Sequence, residues 1–545
     1  FIMAVGPTIG TGLFIGAGQA LAVGGPASLL LSYIVLSFLT FVMTTSLAEV
    51  STHMPFQHGT LVTNGYLYMS SSLAFASAYL RWYTLALFVP YEITSAMVNL
   101  GLWKPGSTIA IRLAIITIIV VGFNFLPEKL FKSSERLFTA IKIGTMATLF
   151  VLTLALGLGG IDSQPSWGFK YWKHPGAMNE YLVRGVWGRF LAFLQCLLDG
   201  SIAFTFAPEL IVHQAEMPAS LVPESLVPES LVPESLVPES LGETALFSAS
   251  IPSIVISDVA QTAFPYILSS LAMGVMAPFN ETRLTNNGTG SGFSPYLIGL
   301  KDANIQIIPT IAMVAILLSA VASGRSFLYL SSRTLCAMSE LGHAPSIFST
   351  RNRWNVPYLA VTASAVFCCL AFIAVKVPST IMNIYLLRLV TSAGFISSLV
   401  SCTIHRHFDR RLKVNGIARR HSFSSQPLGS YLGMVISVLL LLSGGLWAAP
   451  KGNLIGSRAA RLITPYVNIA VFVLLFLFHR FQDFLPVVKI ERHLEMGGRG
   501  HGDREEPRKP RAPKMYPHRG KLDVIPESSG TFELRLSQTM FTEPS

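Results

Sequence analysis

Stretches of about twenty apolar residues, the length that crosses a bilayer as a helix, recur along almost the whole of this chain, and they dictate the solvent in which it folds. They run at about 1–23, 27–49, 73–101, 107–126, 136–159, 187–212, 253–277, 305–332, 357–376, 381–404, 427–449 and 462–482. Hydrophobic residues make up 51% of the 545 and charged ones 13%, with a mean hydropathy of +0.52. A soluble fold could not keep that balance in water. The expectation is an all-α polytopic membrane protein with about twelve transmembrane helices, whose work is to carry a small molecule across a bilayer.

One membrane domain is expected over 1–482, followed by a disordered, Pro-, Gly- and charge-rich cytoplasmic tail at 483–545. The chain opens at Phe1 inside an apolar segment and without an initiator Met, so the native start is expected upstream. From Ser220 the pentapeptide Ser-Leu-Val-Pro-Glu runs four times to Glu239, followed by Ser240 and Leu241. Its period is too short for a solenoid unit, and a proline every fifth residue forbids a regular helix, so 220–241 reads as an expanded cytoplasmic linker.

The net charge of +11 gathers in a few polar stretches, which suits cytoplasmic loops and excludes a nucleic-acid surface. Thr403 to Gln426 holds six basic residues, Arg406, Arg410, Arg411, Lys413, Arg419 and Arg420, against the single acid Asp409. That loop is expected in the cytoplasm. An odd number of crossings separates it from the 277–304 loop, so the sequons at Asn280 and Asn287 fall outside, where glycosylation could use both. Lys451, Arg458 and Arg461 conflict with this topology, since they too fall outside.

Cys196, Cys336, Cys368, Cys369 and Cys402 have neither metal spacing nor the pattern of a disulfide framework. His405 and His407 stand in the basic loop and read as solvated. No Ser-His-Asp or metal-hydrolase arrangement is present, so no enzyme, metal or cofactor is expected.

Two segments break the helical pattern inside lipid. The first reads Gly6-Pro-Thr-Ile-Gly-Thr-Gly-Leu-Phe-Ile-Gly-Ala-Gly18, a density of glycine that weakens a continuous helix. Unwound backbone at membrane depth is tolerated where it lines a cavity, and there free N–H groups and a half-helix N-terminus can hold a carboxylate. The same spacing, Gly6 to Gly10 and Gly12 to Gly16, also suits close helix packing. A dinucleotide loop at Gly10-Thr-Gly lacks the preceding strand it would need. The second break is Ala203-Phe-Thr-Phe-Ala-Pro208-Glu209-Leu, where Pro208 removes a backbone hydrogen bond and Glu209 places an acid inside an apolar span. Glu209 could carry a proton or gate the site. Because the two breaks open successive sets of five helices, they fall where an inverted-repeat transporter binds its cargo. Glu92 and Lys142 are further ionisable groups in apolar spans, Glu92 as a pairing or coupling group, Lys142 reaching either the core or the cytoplasmic interface.

Thr8-Ile-Gly-Thr-Gly-Leu-Phe-Ile-Gly, followed by Gly24-Gly-Pro-Ala-Ser-Leu-Leu-Leu-Ser-Tyr, resembles the opening of the fungal amino-acid permeases, of the amino acid-polyamine-organocation superfamily. Glu135 with Ile141-Lys142, Gly168-Phe-Lys-Tyr-Trp-Lys-His-Pro-Gly-Ala, Ser294-Pro-Tyr-Leu-Ile-Gly and Ser331-Ser-Arg-Thr-Leu through Gly342-His-Ala-Pro to Val356-Pro-Tyr extend the likeness over about 1–480. It is nearest to permeases for proline, dicarboxylic or general amino acids. The resemblance implies a five-plus-five inverted-repeat fold with two added helices, helices 1 and 6 broken, and proton-driven import of an amino acid at the plasma membrane, a vacuolar or other internal membrane being the alternative. It further implies that Gly10, Thr11 and Gly12 hold the substrate carboxylate. The α-ammonium would meet carbonyls of Thr8, Ala203 and Phe206, and Phe204 and Thr205 would face the side chain. Glu209 matches the acid after the helix-6 break, and Lys142 the helix-5 lysine near the sodium position of related carriers. The partners implied are the amino acid, the lipid bilayer and, through the tail, trafficking or ubiquitination machinery. A receptor of the same fold that senses amino acids without net transport is the alternative function. This chain departs from the pattern at Ala207-Pro208, where a Gly is usual, at Ser319-Ala-Val-Ala-Ser323, usually Ser-Ala-Gly-Asn-Ser, and at the acidic repeat, which replaces a basic stretch.

Overall fold

The computed structural model describes residues 10–53, 65–66, 68–103, 109–159, 168–215, 239–285, 292, 294–303, 307–416, 419, 421–445 and 458–484. Every regular element among them is helical. Nine runs are long and apolar enough to cross a membrane. The first of these, Gly12–His53, turns sharply at Gly25 (φ 80°, ψ 173°), a conformation open to glycine. Divided there, and joined by two shorter apolar helices, the runs make the twelve segments that the hydropathy implies.

These are α1 (12–24), α2 (26–53), α3 (Ser71–Trp103), α4 (Ile109–Phe123), α5 (Glu128–Leu158), α6 in two halves (Val186–Gly200 and Ala207–Ala215), α7 (Glu239–Met276), α8 (Ile308–Glu340), α9 (Tyr358–Val375), α10 (Ser379–Val414), α11 (Leu428–Ser443) and α12 (Ala459–Phe481). Three residues join α9 to α10, the tight hairpin foreseen from sequence.

The helices face lipid with apolar stripes at helical spacing. Ile111, Ile115 and Ile118 stand out on α4, Val151, Leu154 and Leu158 on α5, and Val435, Leu439 and Leu442 on α11. In water such stripes would be covered; in hydrocarbon they need no cover. The interior, largely apolar, also holds buried charge. Arg325 of α8 is fully buried, paired with Glu135 of α5 and ringed by Phe123, Phe131 and Phe138 at 5.4, 4.6 and 4.6 Å from guanidinium to ring centre. The aromatic faces offset part of the cost of burying that charge.

One end of the bundle gathers Gly24, the 168–185 segment and Asn280; the other gathers Glu49, Tyr66, His343 and the basic residues after α10. Asn179 N–H donates to the Gly24 carbonyl at 2.9 Å on the sequon end. On the basic end, Phe423 N–H donates to Glu49 Oε1 at 2.7 Å.

Several expectations need correction. α10 runs to Val414, ten residues past the expected end at 404, so the first half of the basic loop is helix. His405 is therefore fully buried, not solvated: its ring nitrogens meet Glu49 Oε2 and Ser430 Oγ, both at 2.7 Å. A pattern read by hydropathy alone ends a helix where charge begins, yet Asp409 here gathers Arg406, Lys413 and Arg419 and lets the helix continue. Arg461 is not a free loop charge either; it is buried at the start of α12, within electrostatic reach of Tyr181 and Tyr385. α7 begins at Glu239, within the last residues of the 220–241 segment. The rest of that repeat, Lys451 and the tail beyond Phe484 lie outside the described residues.

Candidate substrate site

The site grows from the two broken helices. At the start of α1 the coil widens to a π-helical turn over Gly12–Gly16, with Gly10 in a bend before it. π turns misalign the carbonyl ladder and recur at functional sites. In α6 the outer half ends at Gly200, tightens to a 3₁₀ turn over Ser201–Ala203 and turns through Phe204–Phe206 before the inner half begins at Ala207. Pro208 lies in the first turn of that inner half, where its missing N–H costs little, so it starts a helix more than it breaks one.

The glycines are required where the two breaks meet. A Cβ on Gly12 would stand 2.9 Å from Ile202 Cγ2 and 3.6 Å from the Ala203 nitrogen. One on Gly10 would stand 2.6 Å from Glu92 Oε1 and 3.0 Å from Ser323 Oγ. Packing and site, which the sequence leaves as alternatives, thus coincide: close approach brings the unwound backbone against charged groups.

Those groups form one buried cluster. Thr11 Oγ1 donates to Glu92 Oε2 at 2.8 Å. Lys142 Nζ, 2% exposed, donates to Ser323 Oγ at 2.7 Å, so it reaches the core and does not snorkel. Tyr91 is fully buried, and its hydroxyl lies beside those of Thr11 and Ser95 without closing a hydrogen bond to either. A narrow cavity is lined by Gly10, Gly12, Phe88, Tyr91, Glu92, Ile202, Ala203, Phe206 and Phe327. Its wall is aromatic and aliphatic, and among the described residues Glu92 is the one carboxylate on it. Glu209, below the α6 break, is ion-paired with Arg81 of α3 and accepts the Ser397 hydroxyl of α10 at 2.6 Å.

The model of one protein family, "Amino acid permease", matches residues 1–216 and 242–483. The chain belongs to that family. The stretch between the two matches, 217–241, contains the whole of the Ser-Leu-Val-Pro-Glu repeat. A probable proline-specific permease of Schizosaccharomyces pombe is 30% identical over 87% of this chain and 81% of its own length. A proline-specific permease of Emericella nidulans is 30% identical over 88% and 83%, and a dicarboxylic amino acid permease of Saccharomyces cerevisiae 26% identical over 81% and 69%. A solved structure of an Eremococcus coleocola manganese transporter variant superposes with a TM-score of 0.51, at 13% identity over 88% of this chain and 94% of that one, a likeness of fold. The protein is a transporter with no enzymatic activity, a multi-pass membrane protein whose cargo is an amino acid.

Of the residues singled out from sequence, the permease brings Gly10, Gly12, Ala203, Phe206 and Glu92 together on the cavity wall, with Thr11 bonded behind them. Lys142 adjoins through Ser323, which also approaches Gly10. Phe204 lies elsewhere, stacked edge-on against Tyr33 and Tyr266. Thr205 donates to the Ser201 carbonyl and packs on Gly394 of α10, away from the lining. An i, i+2 pair on a turn points to different sides, which separates Phe204 from Phe206. Thr8 and Asn287 lie outside the described residues, and Asn280 is exposed in the turn after α7. Sequence reasoning missed Arg81, Phe88, Tyr91, Ser323, Phe327 and Ser397. For Arg81 a signal existed, a lone basic residue within an apolar run; the others are ordinary helix residues that only helix register brings to the site.

Proposed function

We propose that this permease imports a small neutral amino acid, of the proline kind, across the plasma membrane in symport with a proton. The observation that carries the reading is the Thr11–Glu92 hydrogen bond at the edge of an apolar and aromatic cavity. Backbone N–H groups of Gly10, Thr11 and Gly12 hold the substrate carboxylate, as at a half-helix N-terminus. The carbonyls of Thr8, Ala203 and Phe206 receive the ammonium. Phe88, Phe206 and Phe327 surround an apolar side chain, and offer nothing to pair with a second carboxylate. Proline-specific transport by two relatives of 30% identity supports this choice of cargo.

Glu92, Lys142 and Glu209 are the ionisable groups through which a proton couples to the movement, and no cofactor takes part. The membrane domain over 1–482 performs transport, and 483–545 is a cytoplasmic tail through which trafficking or ubiquitination machinery acts. The basic end faces the cytoplasm and the Asn280 end the exterior.

The test is uptake of labelled proline by cells lacking their own proline carriers, with and without a protonophore, beside a competition panel of the natural amino acids. Saturable proline uptake abolished by the protonophore is expected. Uptake indifferent to the proton gradient would remove the coupling. Competition by lysine or glutamate as strong as by proline would remove the assignment of cargo, and binding without accumulation would favour the sensing receptor.

A further inference from the structure

A second buried ion pair lies on the other side of the α6 break. Asp199, next to the end of the outer half, is paired with Arg388 of α10; the side chains are 2% and 4% exposed. Gln195, one turn earlier, points its amide at both Asp199 oxygens, at 3.4 and 3.3 Å. Glu209, third residue of the inner half, is paired with Arg81 of α3, with side chains 6% and 11% exposed. Each half of α6 therefore bears one carboxylate, and the two are ion-paired to different helices, α10 and α3, while Glu209 also accepts the Ser397 hydroxyl of α10.

The two ties bracket the cavity. α6 and α10 run side by side in the same direction, since Asp199 meets Arg388, Thr205 seats on Gly394, and Glu209 meets Ser397. Arg388 and Ser397 are nine residues apart, about 14 Å along a helix at 1.5 Å per residue. Between them in α6 fall Ile202, Ala203 and Phe206, which line the cavity. A Cβ on Gly394 would stand 2.2 Å from Thr205 Cγ2, so the break itself is pressed against α10 and serves as a fixed point.

We propose that Asp199–Arg388 and Glu209–Arg81 are paired latches of alternating access, the first closing the path to the Asn280 end and the second the path to the basic end. The proposal rests on the transport reading above. With both pairs made, the cavity between them is narrow. A break in α6 lets each half tilt without the other, and a half can tilt away only by separating its pair. Separation becomes favourable when water enters and hydrates the charges, so opening one path stabilises its own open state while the other latch stays dry and shut. Arg388 also borders a second, small gap beside Leu198, Thr391 and Leu440. Asp199, Arg388 and Arg81 act here as positioning residues: they set which face is open and need not touch the substrate.

The test reads accessibility from each face. In an Ile202→Cys background, labelling by a membrane-impermeant thiol reagent is measured on intact cells and on inside-out vesicles, the unsubstituted chain serving as blank for the exposed Cys369. Asp199→Asn is expected to raise labelling from the Asn280 face about tenfold and lower it from the basic face. Glu209→Gln and Arg81→Gln are expected to do the reverse. Exchanging the charges, Asp199→Arg with Arg388→Asp, is expected to restore the starting rates, which tells a lost latch from a chain that has failed to fold. Equal shifts in one direction for both pairs, no shift, or failure of the exchange to restore what Asp199→Arg removes would overturn the proposal. Labelling needs no substrate. A chain that takes up no amino acid yet labels as expected would refute the import reading and leave the latches standing; normal uptake with unshifted labelling would do the opposite.

Discussion

The hydroxyl of Thr11 donates to a carboxylate oxygen of Glu92 at 2.8 Å, across 81 positions of chain. This bond fastens the unwound start of α1 to α3 and aims a carboxylate at the backbone of Gly10 and Thr11. The substrate carboxylate is proposed to bind that same backbone, so the bond sets how much of it is free.

Thr11 is therefore expected to be sensitive to loss of its hydroxyl and tolerant of loss of its methyl. A hydrogen bond to a charged group contributes about 1.5–3 kcal/mol. Thr11→Val should raise KM for uptake roughly tenfold or more, and Thr11→Ser should stay within about twofold of the parent. Uptake kinetics at matched surface expression measure both, and equal behaviour of the two variants would deny the hydroxyl its role.

Gly12 tests the contact between the two breaks. An alanine there meets Ile202 Cγ2 at 2.9 Å, and β-branched Ile202 has little freedom to yield. Gly12→Ala should cost about 1–3 kcal/mol of stability through overpacking and should depress uptake. Adding Ile202→Ala should recover part of both, read as melting temperature in detergent and as transport rate. Additive losses would place the strain elsewhere.

How far these features could be read beforehand depended on the distance over which they act. The twelve helices and the α6 break were legible because each is written in a contiguous run: apolar length, glycine density, and a proline and an acid inside lipid. The partners were not. Arg81 and Glu209 are 128 positions apart, Arg388 and Asp199 189. Such pairs depend on the register of helices that no local pattern records. Phe204 shows the same limit on a small scale, since which side of a turn a residue faces depends on the turn's geometry, and Tyr33 and Tyr266 had already filled its side. His405 was misread for a third reason. Its helix continues through a charged stretch because Glu49 and Asp409 neutralise that stretch from within the bundle.

The Asn280 end should respond to acid in a predictable direction. Hydrogen bonds from Arg283 hold the Glu281 carboxyl below its usual range, and Glu281 with Asp302 holds Arg283 above its own. A carboxyl depressed in the folded state stabilises above its unfolded value, about 4.3, and that contribution is lost as pH falls through the depressed folded value. Proteolysis in the 277–303 segment of intact cells should thus stay slow at neutral pH and rise only well below pH 4. Arg283→Ala should move the rise to higher pH, and an unmoved profile would detach the segment's order from this pair.

Lys142 gives the sharpest test of whether the buried charges work as a unit. It is 2% exposed and bonded to Ser323, and the carboxylates nearest to act on it are Glu135 and Glu92. Glu135 already has Arg325 as its ion-pair partner, whereas Glu92 has the Thr11 hydroxyl and feels the Lys142 charge. Removing the lysine charge should therefore strand Glu92 more than Glu135. Lys142→Met should abolish uptake and lower thermal stability; Glu92→Gln should lower it less. With both substitutions the stranded charge is gone, so the double variant should be more stable than the two losses added together predict, by about 0.5–3 kcal/mol in a double-mutant cycle. Glu135→Gln in place of Glu92→Gln should show a smaller coupling to Lys142→Met, because Arg325 remains to be stranded in its turn. Thermal unfolding of the purified variants in detergent measures all of these, and strict additivity for the Glu92 pair would mean that Lys142 and Glu92 share a cavity without sharing a charge.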